Sequence, residues 1–194
     1  MPIESLSQLK ERMSPIQLAE LEGFNRRRQR SLERITRTPL VILVWGPGPG
    51  DSTYQKRVEL QETLTSLGHV ALFSEWLGED EQDQILLFDE FAQADAADLI
   101  LVLTTSWGPL TEKLYYGRDP KIAQKMWAYV HERAKEGFVG AGPFRDDVWL
   151  REHVVYFTDV EFHGPGLIDR ILECVRAYQF EKYRQRRKEV LGDF

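Results

Sequence analysis

The chain has 194 residues and a formal net charge of −6, and 11% of its residues are aromatic. This length and aromatic content exclude a disordered chain and predict one domain with an extension. No apolar run approaches the roughly 20 residues of a membrane span, and no apolar signal segment begins the sequence. We therefore expect a cytoplasmic protein with no membrane partner.

Charge is distributed unevenly along the chain. From Val58 to Glu112 there is no Lys or Arg but there are twelve acidic residues, whereas both ends are rich in arginine. The acidic centre would repel a polyanion, so we do not expect it to bind nucleic acid. The basic run from Arg26 to Arg30 can contact phosphates or form a solvated helix face, and we favour the solvated face.

A helical extension is predicted to precede the main domain. Residues 3–35 have a helical pattern in which Ser14-Pro-Ile-Gln17 matches a capping box, so we expect a short helix before Ser14 and a longer one after it. Its apolar residues need not all be covered by the domain, which favours a homo-oligomer. These residues are Ile16, Leu18, Leu21 and Phe24.

The main domain is predicted to begin with a strand, Leu40–Trp45, and the loop Gly46-Pro-Gly-Pro-Gly-Asp51. This loop is not a phosphate-binding P-loop, because that motif needs a Lys-Ser/Thr pair after its last glycine and the two prolines remove amide donors. A dinucleotide-binding fingerprint also fails, since its third glycine is missing. Asp51, Ser52 or Thr53 can cap the next helix.

Two further helices and one strand are predicted before the centre of the chain. The pattern indicates a helix at 53–67, a strand at 69–73 and a helix at 82–96. Between the strand and the second helix lies an acidic loop that begins Ser74-Glu75. We expect this loop at the carboxyl edge of the sheet, where its charge would disfavour a polyphosphate ligand.

The stretch from Asp98 to Glu112 contains the strongest functional pattern. Leu99–Leu103 is an unbroken apolar run, typical of a strand buried on both faces of a parallel sheet. Polar residues Thr104, Thr105 and Ser106 follow it at the edge where open α/β sheets bind ligands. Gly108 allows a tight turn and Pro109 suits the first turn of a helix, so we expect Glu112 about one turn into that helix.

The remainder of the chain is predicted to contain two long helices and two strands. We expect a helix at 121–136 with an apolar side formed by Ile122, Met126, Tyr129 and Val130. A loop follows at 137–147 with a short strand at 138–139, then a strand at 153–158 and a helix from Leu167 to about Val190. Residues 1–38 thus form the N-terminal extension, 39–180 the α/β domain and 181–194 the basic end of the last helix.

Alternating strands and helices predict a parallel sheet with right-handed crossovers. We expect a three-layer, flavodoxin-like α/β fold with strand order 2-1-3-4-5 and helical N- and C-terminal extensions. In this order the chain runs one way along the sheet from the first strand and the other way from the third, so these two strands flank the topological switch point. The loops after Trp45 and Leu103 should therefore open onto one crevice.

The order of elements from Leu40 to about Tyr116 resembles the superfamily of nucleoside 2-deoxyribosyltransferases and bacterial TIR-like domains. The matching residues are Asp98 before the third strand and the pattern Ser106-x-Gly108-x-x-x-Glu112 after it. Many members of this superfamily cleave or exchange N-glycosidic bonds of nucleosides or NAD. The resemblance implies that Glu112 corresponds to the catalytic glutamate.

The chemistry of these residues agrees with that implication. Cleavage of a ribosyl bond to a nitrogen base develops oxocarbenium character, which a nearby carboxylate can stabilise or attack. Glu112 is our candidate, and its alternative is a solvent-facing glutamate paired with Lys113 or Lys121. Trp107 or Trp45 can stack on a base or a nicotinamide ring, although core packing is the simpler interpretation of Trp107.

The remaining candidates complete the predicted site. The predicted substrate-binding residues are Trp45, Gly46, Asp51, Glu90, Asp98, Ser106, Trp107 and Gly108. The histidines are scattered and lack ligand spacing, so we expect no metal site and no cofactor. Two functions remain open: an N-glycosidase or ribosyl-transfer enzyme acting on NAD or a nucleoside-type substrate, or a non-catalytic nucleotide-sensing or assembly domain on the same fold.

Overall fold

A computed structural model of the chain describes residues 6–77, 86–105, 116–134 and 152–191, without the side chains of 86–88 and 191. Contacts between residues divide the chain into two units. One consists of residues 39–179, and the other combines residues 1–38 with 180–194. We call them the sheet unit and the helical unit.

The sheet unit is built on five parallel strands in the order β2-β1-β3-β4-β5. This confirms the predicted α/β fold class and strand order. The strands are Val41–Trp45 (β1), Val70–Leu72 (β2), Leu99–Thr104 (β3), Met126–His131 (β4) and Val154–Phe157 (β5).

Helices precede, connect and follow these strands along the chain. In chain order the described α-helices are Leu6–Glu11 (α1), Pro15–Thr36 (α2), Tyr54–Ser66 (α3), Leu86–Ala96 (α4), Pro120–Ala123 (α5), Asp159–His163 (α6) and Gly166–Leu191 (α7). Short 3-10 helices lie at Ser74–Trp76, Tyr116–Arg118 and Glu132–Ala134. Within the described residues, no helix is both long enough and apolar enough to cross a bilayer.

Two hydrophobic clusters lie on opposite faces of the sheet, because successive side chains of a strand point to opposite sides. All six residues of β3 are buried. On one face Leu101 packs in a cluster with α3 and α7, and on the other Val102 packs in a cluster with α4 and α5. The central strand is therefore covered on both sides, as its unbroken apolar sequence predicts.

The predicted helix at 121–136 is wrong. Helix α5 ends at Ala123, and Met126–His131 is a strand that pairs with β3 and β5. Residues of β4 alternate between the two faces of the sheet, with Tyr129 in one cluster and Val130 in the other. The apolar residues that matched a helical spacing are thus the two faces of a buried strand. The predicted strand at 138–139 lies outside the described residues.

The end of the sheet unit agrees with the sequence. Strand β5 lies within the predicted range 153–158, and α7 covers the predicted last helix. The predicted core stripe of α7 packs on the sheet, since Leu167 and Ile171 are fully buried and Val175 nearly so. Leu172 and Tyr178 pack against the same cluster while partly exposed.

The described part of the helical unit contains α1, α2 and the end of α7. The capping box is present, since the Gln17 backbone N–H donates to Ser14 Oγ at 3.3 Å and the Ser14 N–H donates to Gln17 Oε1 at 2.8 Å. This confirms the predicted break between a short helix and a longer one. None of the 22 residues of α2 is buried.

The carboxyl edge of the sheet is the edge where ligands bind in open α/β folds. Trp45 at the end of β1 pairs with Val102 of β3, so the two strands end side by side. The chain leaves β1 towards α3 and leaves β3 towards α5, in opposite directions along the strand order. The fold therefore places a switch point between β1 and β3.

Candidate functional site

A cavity of about 330 Å³ lies at this carboxyl edge. It is lined by residues that end or follow four different strands: Ser52, Thr105, His131, Arg133, Asp159, Phe162 and His163. This volume is at the lower end of the range of small-molecule sites, about 300–1,000 Å³. The lining combines hydroxyl, imidazole, guanidinium and carboxylate groups with one aromatic ring, as expected for a polar small molecule.

The polar centre of the cavity is a cluster of His131, Asp159 and Arg133. His131 Nε2 lies 3.0 Å from Asp159 Oδ1, and the Arg133 backbone N–H donates to His131 Nδ1 at 3.1 Å. Because a backbone N–H can only donate, Nδ1 accepts and Nε2 carries the proton that is donated to Asp159. Both ring nitrogens are engaged, so His131 positions Asp159 rather than acting as a base.

Asp159 is the described carboxylate that borders the cavity. Partial desolvation opposes ionisation, but the hydrogen bond from His131 and the charge of Arg133 outweigh it and hold the pKa of Asp159 below its ordinary value. The Arg133 guanidinium also donates to Asp159 Oδ2. Since Asp159 stays ionised and half-exposed, it can accept hydrogen bonds from ligand hydroxyls.

Helix α6 carries Asp159, and a second capping box fixes its start. Glu161 Oε2 accepts from the Thr158 backbone N–H at 2.8 Å, and Arg170 donates to Glu161 Oε1 at 2.7 Å. The hydrogen bond from the Thr158 backbone, with those from Arg170 and the Thr158 hydroxyl, lowers the pKa of Glu161. The ionised form of Glu161 therefore stabilises the start of the helix that carries Asp159.

We expect Glu161→Gln to lower the free energy of unfolding at pH 7 by about 1 kcal/mol, because the amide keeps the cap but loses the ion pair. A carboxylate with a lowered folded-state pKa stabilises above its ordinary value of 4.5 and loses that contribution as pH falls through the folded value. Denaturant unfolding from pH 7 to pH 3 should show the difference between the variant and wild type shrinking below pH 4.5. A difference in unfolding free energy that does not change with pH would contradict this. The control is Glu173→Gln, the same substitution at an exposed position of α7.

Arg57 is a fully buried cation that holds the loop after β1. Its Nη1 donates to the carbonyls of Gly46 and Pro47 at 2.7 and 2.6 Å, and its Nη2 donates to the carbonyl of Val44 at 2.8 Å. Three carbonyls in and just after the last part of β1 thereby accept from one side chain. Arg57 fixes one wall of the crevice between β1 and β3.

Glu75 and Phe73 complete the surroundings of this cation. Arg57 makes a bidentate pair with Glu75 at 3.0 and 3.2 Å, and its guanidinium lies 4.6 Å from the centre of the Phe73 ring. Burial opposes ionisation of Glu75, but the hydrogen bonds and charge of Arg57 outweigh it and lower its pKa. We call Arg57, Glu75 and Phe73 the arginine clamp.

Gly46 is required where the clamp meets β3. A Cβ atom on Gly46 would lie 2.3 Å from the Leu103 carbonyl oxygen and 2.8 Å from Arg57 Cδ. The first contact is with backbone, so the strand ends would have to separate. The glycine therefore permits the close approach of the loop to β3, which agrees with its predicted position at the crevice.

We expect Gly46→Ala to lower the free energy of unfolding by about 1–3 kcal/mol, the usual cost of overpacking. Gly48→Ala in the same loop is the matched control, because a Cβ there meets no atom within 4 Å. Urea denaturation of both variants measures the difference. Equal stability of the two would refute the close-packing argument.

Asp51 lies in the same loop, two residues before the N-cap residue Thr53 of α3. Its Oδ1 accepts from the Thr53 backbone N–H at 2.8 Å and from the Thr53 hydroxyl at 2.6 Å. These bonds form a turn before the helix, and Thr53 makes no side-chain cap hydrogen bond, so the predicted capping role is not seen. The carboxylate is engaged with Thr53, while its neighbour Ser52 lines the cavity.

Trp45, Tyr116 and Glu90 come together on the other face of the sheet. Trp45 is 0% exposed and packs on Tyr116 with ring centroids 5.6 Å apart, and the Tyr116 hydroxyl donates to Glu90 Oε2 at 2.6 Å. Trp45 is therefore a core residue and does not offer a ring face for stacking. Tyr116, the partner of Glu90, lies in the cluster on the face of the sheet opposite to the cavity's Phe162.

Asp98 lies at the amino edge of the sheet, opposite to the carboxyl edge that carries the cavity. This position does not support its predicted contact with substrate. Its Oδ2 accepts from the Val41 backbone N–H at 2.7 Å, and its own N–H donates to the Val41 carbonyl at 2.9 Å. These bonds join the amino ends of β1 and β3. Asp98 is separated from the crevice by the full length of β3, and its role is to align the two strands.

The other predicted site residues lie outside the described residues. They are Ser106, Trp107, Gly108 and Glu112. The described chain resumes at the 3-10 helix Tyr116–Arg118, where Tyr116 is buried against Trp45. Their positions in the crevice stay predictions.

Histidine positions show no metal-ligand cluster within the described chain. His69 Nδ1 accepts from the Leu40 backbone N–H at 3.2 Å, so it links the residues that precede β1 and β2. His153 packs on Trp127 with ring centroids 4.7 Å apart. Each of these two side chains has a structural partner in the fold.

Sequence reasoning missed the arginine clamp and the His131–Asp159 pair. A signal for the clamp does exist, because Arg57 lies three and seven residues before Leu60 and Leu64 on the buried stripe of α3. A cationic side chain on a buried helix stripe needs an anionic or hydrogen-bonding partner, because burying an unpaired charge is costly. No signal identified the pair, since His131 lay in the segment wrongly predicted to be helical.

The sequence was also compared with known proteins. A scan against protein-family models gives no match, and a search of curated protein sequences gives no significant match.

Proposed function

We propose that the sheet unit is an N-glycosidase or ribosyl-transfer enzyme that cleaves the bond between base and ribose in NAD or a nucleoside-type substrate. In this proposal Glu112 stabilises or attacks the oxocarbenium-like centre. The ribose hydroxyls would hydrogen-bond to Asp159, Ser52 and Thr105, which line the cavity.

The observation that carries the proposal is the switch point between β1 and β3, with a polar cavity at its edge. Thr105 lines that cavity, and Glu112 follows it by seven residues in the sequence. Tyr116, the next described residue after this segment, packs on Trp45 at the end of β1. Both described ends of the segment therefore lie beside the strands that flank the switch point.

The substrate is tested with a panel of NAD, ribonucleosides and 2-deoxyribonucleosides, each incubated with the protein. Free base is then separated by chromatography and quantified. Release of base from at least one compound supports the proposal. Saturable binding of a nucleotide without base release would instead favour the non-catalytic sensing domain.

We also propose that the chain forms a homo-oligomer through α2. Ile16 is 78% exposed and Phe24 is 54% exposed, and they lie eight residues apart on a helix without buried residues. Exposed apolar side chains at this spacing share one face, which a second copy can cover.

Under this proposal, the double variant Ile16→Glu/Phe24→Glu should shift the mass measured by light scattering to that of one chain, because charges on the contact face disfavour burial. Asn25→Glu adds a charge at an exposed position of the same helix and should leave the mass unchanged. A wild-type mass of one chain, or a double variant with unchanged mass, would contradict assembly through α2.

A further inference from the structure

The helical unit differs in charge from the rest of the chain. Its residues include thirteen Lys and Arg against eight Asp and Glu, although the whole chain has a net charge of −6. The positive charge lies on α2 and on the last part of α7. An anion would therefore be attracted to this unit and repelled by the sheet unit.

A cleft of about 580 Å³ lies between α2 and the last part of α7, within the helical unit. Its lining contains three arginines, three hydroxyl residues and one apolar residue: Arg34, Arg186, Arg187, Ser31, Thr38, Tyr183 and Val190. Among the described residues, no acidic side chain lines it. The volume is sufficient for a nucleotide-sized molecule.

The three arginines are not neutralised locally. In the described parts of the chain, no ion pair within 4.0 Å involves Arg34, Arg186 or Arg187, whereas Arg26 pairs with Glu22 and Arg184 with Glu181. Neighbouring cations without counter-charges repel each other, and a bound anion removes that repulsion. Guanidinium groups also match phosphate oxygens with paired N–H donors.

We propose that this cleft binds a small anion that carries a chain of two or more phosphate groups. Arg34 on one helix and Arg186 and Arg187 on the other contact the phosphate oxygens. The hydroxyl groups of Ser31 and Tyr183 supply additional donors, and the Tyr183 ring offers a surface for a base if the ligand is a nucleotide. The site is separate from the crevice and does not depend on the proposed glycosidase activity.

The test is isothermal titration calorimetry of the full chain with inorganic tripolyphosphate and, separately, with ATP, in magnesium-free buffer. Arg34→Gln, Arg186→Gln and Arg187→Gln should each weaken binding about tenfold or more, because each removes a charge-assisted hydrogen bond. Arg28→Gln on α2 and Arg184→Gln on α7 remove the same charge outside the cleft lining and should change binding less than about twofold.

Each outcome has a defined meaning. Equal affinity for the two probes identifies the phosphate chain as the ligand chemistry, and tighter binding of ATP adds a contact to the nucleoside. If wild type binds neither probe, the proposal is overturned. It is also overturned if the control variants weaken binding as much as the cleft variants, since attraction would then be diffuse, or if the cleft variants bind like wild type.

Discussion

Replacing Arg57 by methionine should lower the free energy of unfolding by about 3–5 kcal/mol, because three backbone carbonyls lose a charge-assisted donor at about 1–3 kcal/mol each. The guanidinium is fully buried and donates to the carbonyls of Val44, Gly46 and Pro47 while pairing with Glu75. Methionine fills similar volume but leaves those carbonyls without this donor. Guanidinium chloride denaturation measures the loss.

The matched control is Arg176→Met, the same substitution at an exposed position of α7. It should change stability by no more than about 0.5 kcal/mol. Glu75→Gln should lower the free energy of unfolding less than Arg57→Met does. The glutamine amide oxygen can still accept a hydrogen bond from Arg57, and the bonds from Arg57 to the backbone carbonyls remain. If Arg57→Met is as stable as Arg176→Met, the clamp does not hold the loop.

The clamp also determines how the start of the loop Gly46–Asp51, with its two prolines and three glycines, is oriented. The carbonyls of Gly46 and Pro47 accept hydrogen bonds from the buried side chain of Arg57. A phosphate-binding loop requires the reverse orientation, with N–H groups directed at the ligand. The structure therefore agrees with the exclusion of a P-loop made from the sequence.

Much of the fold was predictable because its signals are local. The run Leu99–Leu103 is apolar throughout, and only a strand covered on both faces requires that pattern. The capping box at Ser14 and the core stripe of α7 are likewise complete within a few turns of one helix. The strand order followed from the alternation of strands and helices with right-handed crossovers.

Strand β4 was not predictable by the same reasoning. Ile122, Met126, Tyr129 and Val130 match a helical spacing, and Asp119 does cap a helix that begins at Pro120. That helix is only one turn long. The choice between helix and strand was decided by packing against β3 and β5, which are distant in sequence.

The candidate site was predictable only in part. The strand order predicted a crevice at the carboxyl ends of β1 and β3, and Gly46 and Asp51 lie in the loop that follows β1. Their contact with a substrate stays a prediction. Residues that act through contacts between distant elements were missed. His131 ends β4 whereas Asp159 follows β5, and Arg57 on α3 pairs with Glu75, which follows β2. Asp98 was included in the site because it matches the resemblance to the superfamily, and its hydrogen bonds to Val41 place it at the amino edge of the sheet.

Replacing Glu112 by glutamine should lower the rate of base release by about two orders of magnitude or more, because the variant loses the charge that stabilises the developing oxocarbenium ion. The side chain keeps its size, so folding should be retained, and circular dichroism checks this. Glu62→Gln makes the same change at an exposed position of α3 and should keep the wild-type rate.

The most direct measurement is the time course of base release by wild type, Glu112→Gln and Glu62→Gln on the best substrate of the panel, followed by chromatography at equal protein concentration. We predict steady release by wild type and Glu62→Gln, and release slower by about a hundredfold or more in Glu112→Gln. Equal rates in all three proteins, or no release by wild type from any compound, would contradict the proposal that this chain cleaves N-glycosidic bonds through Glu112.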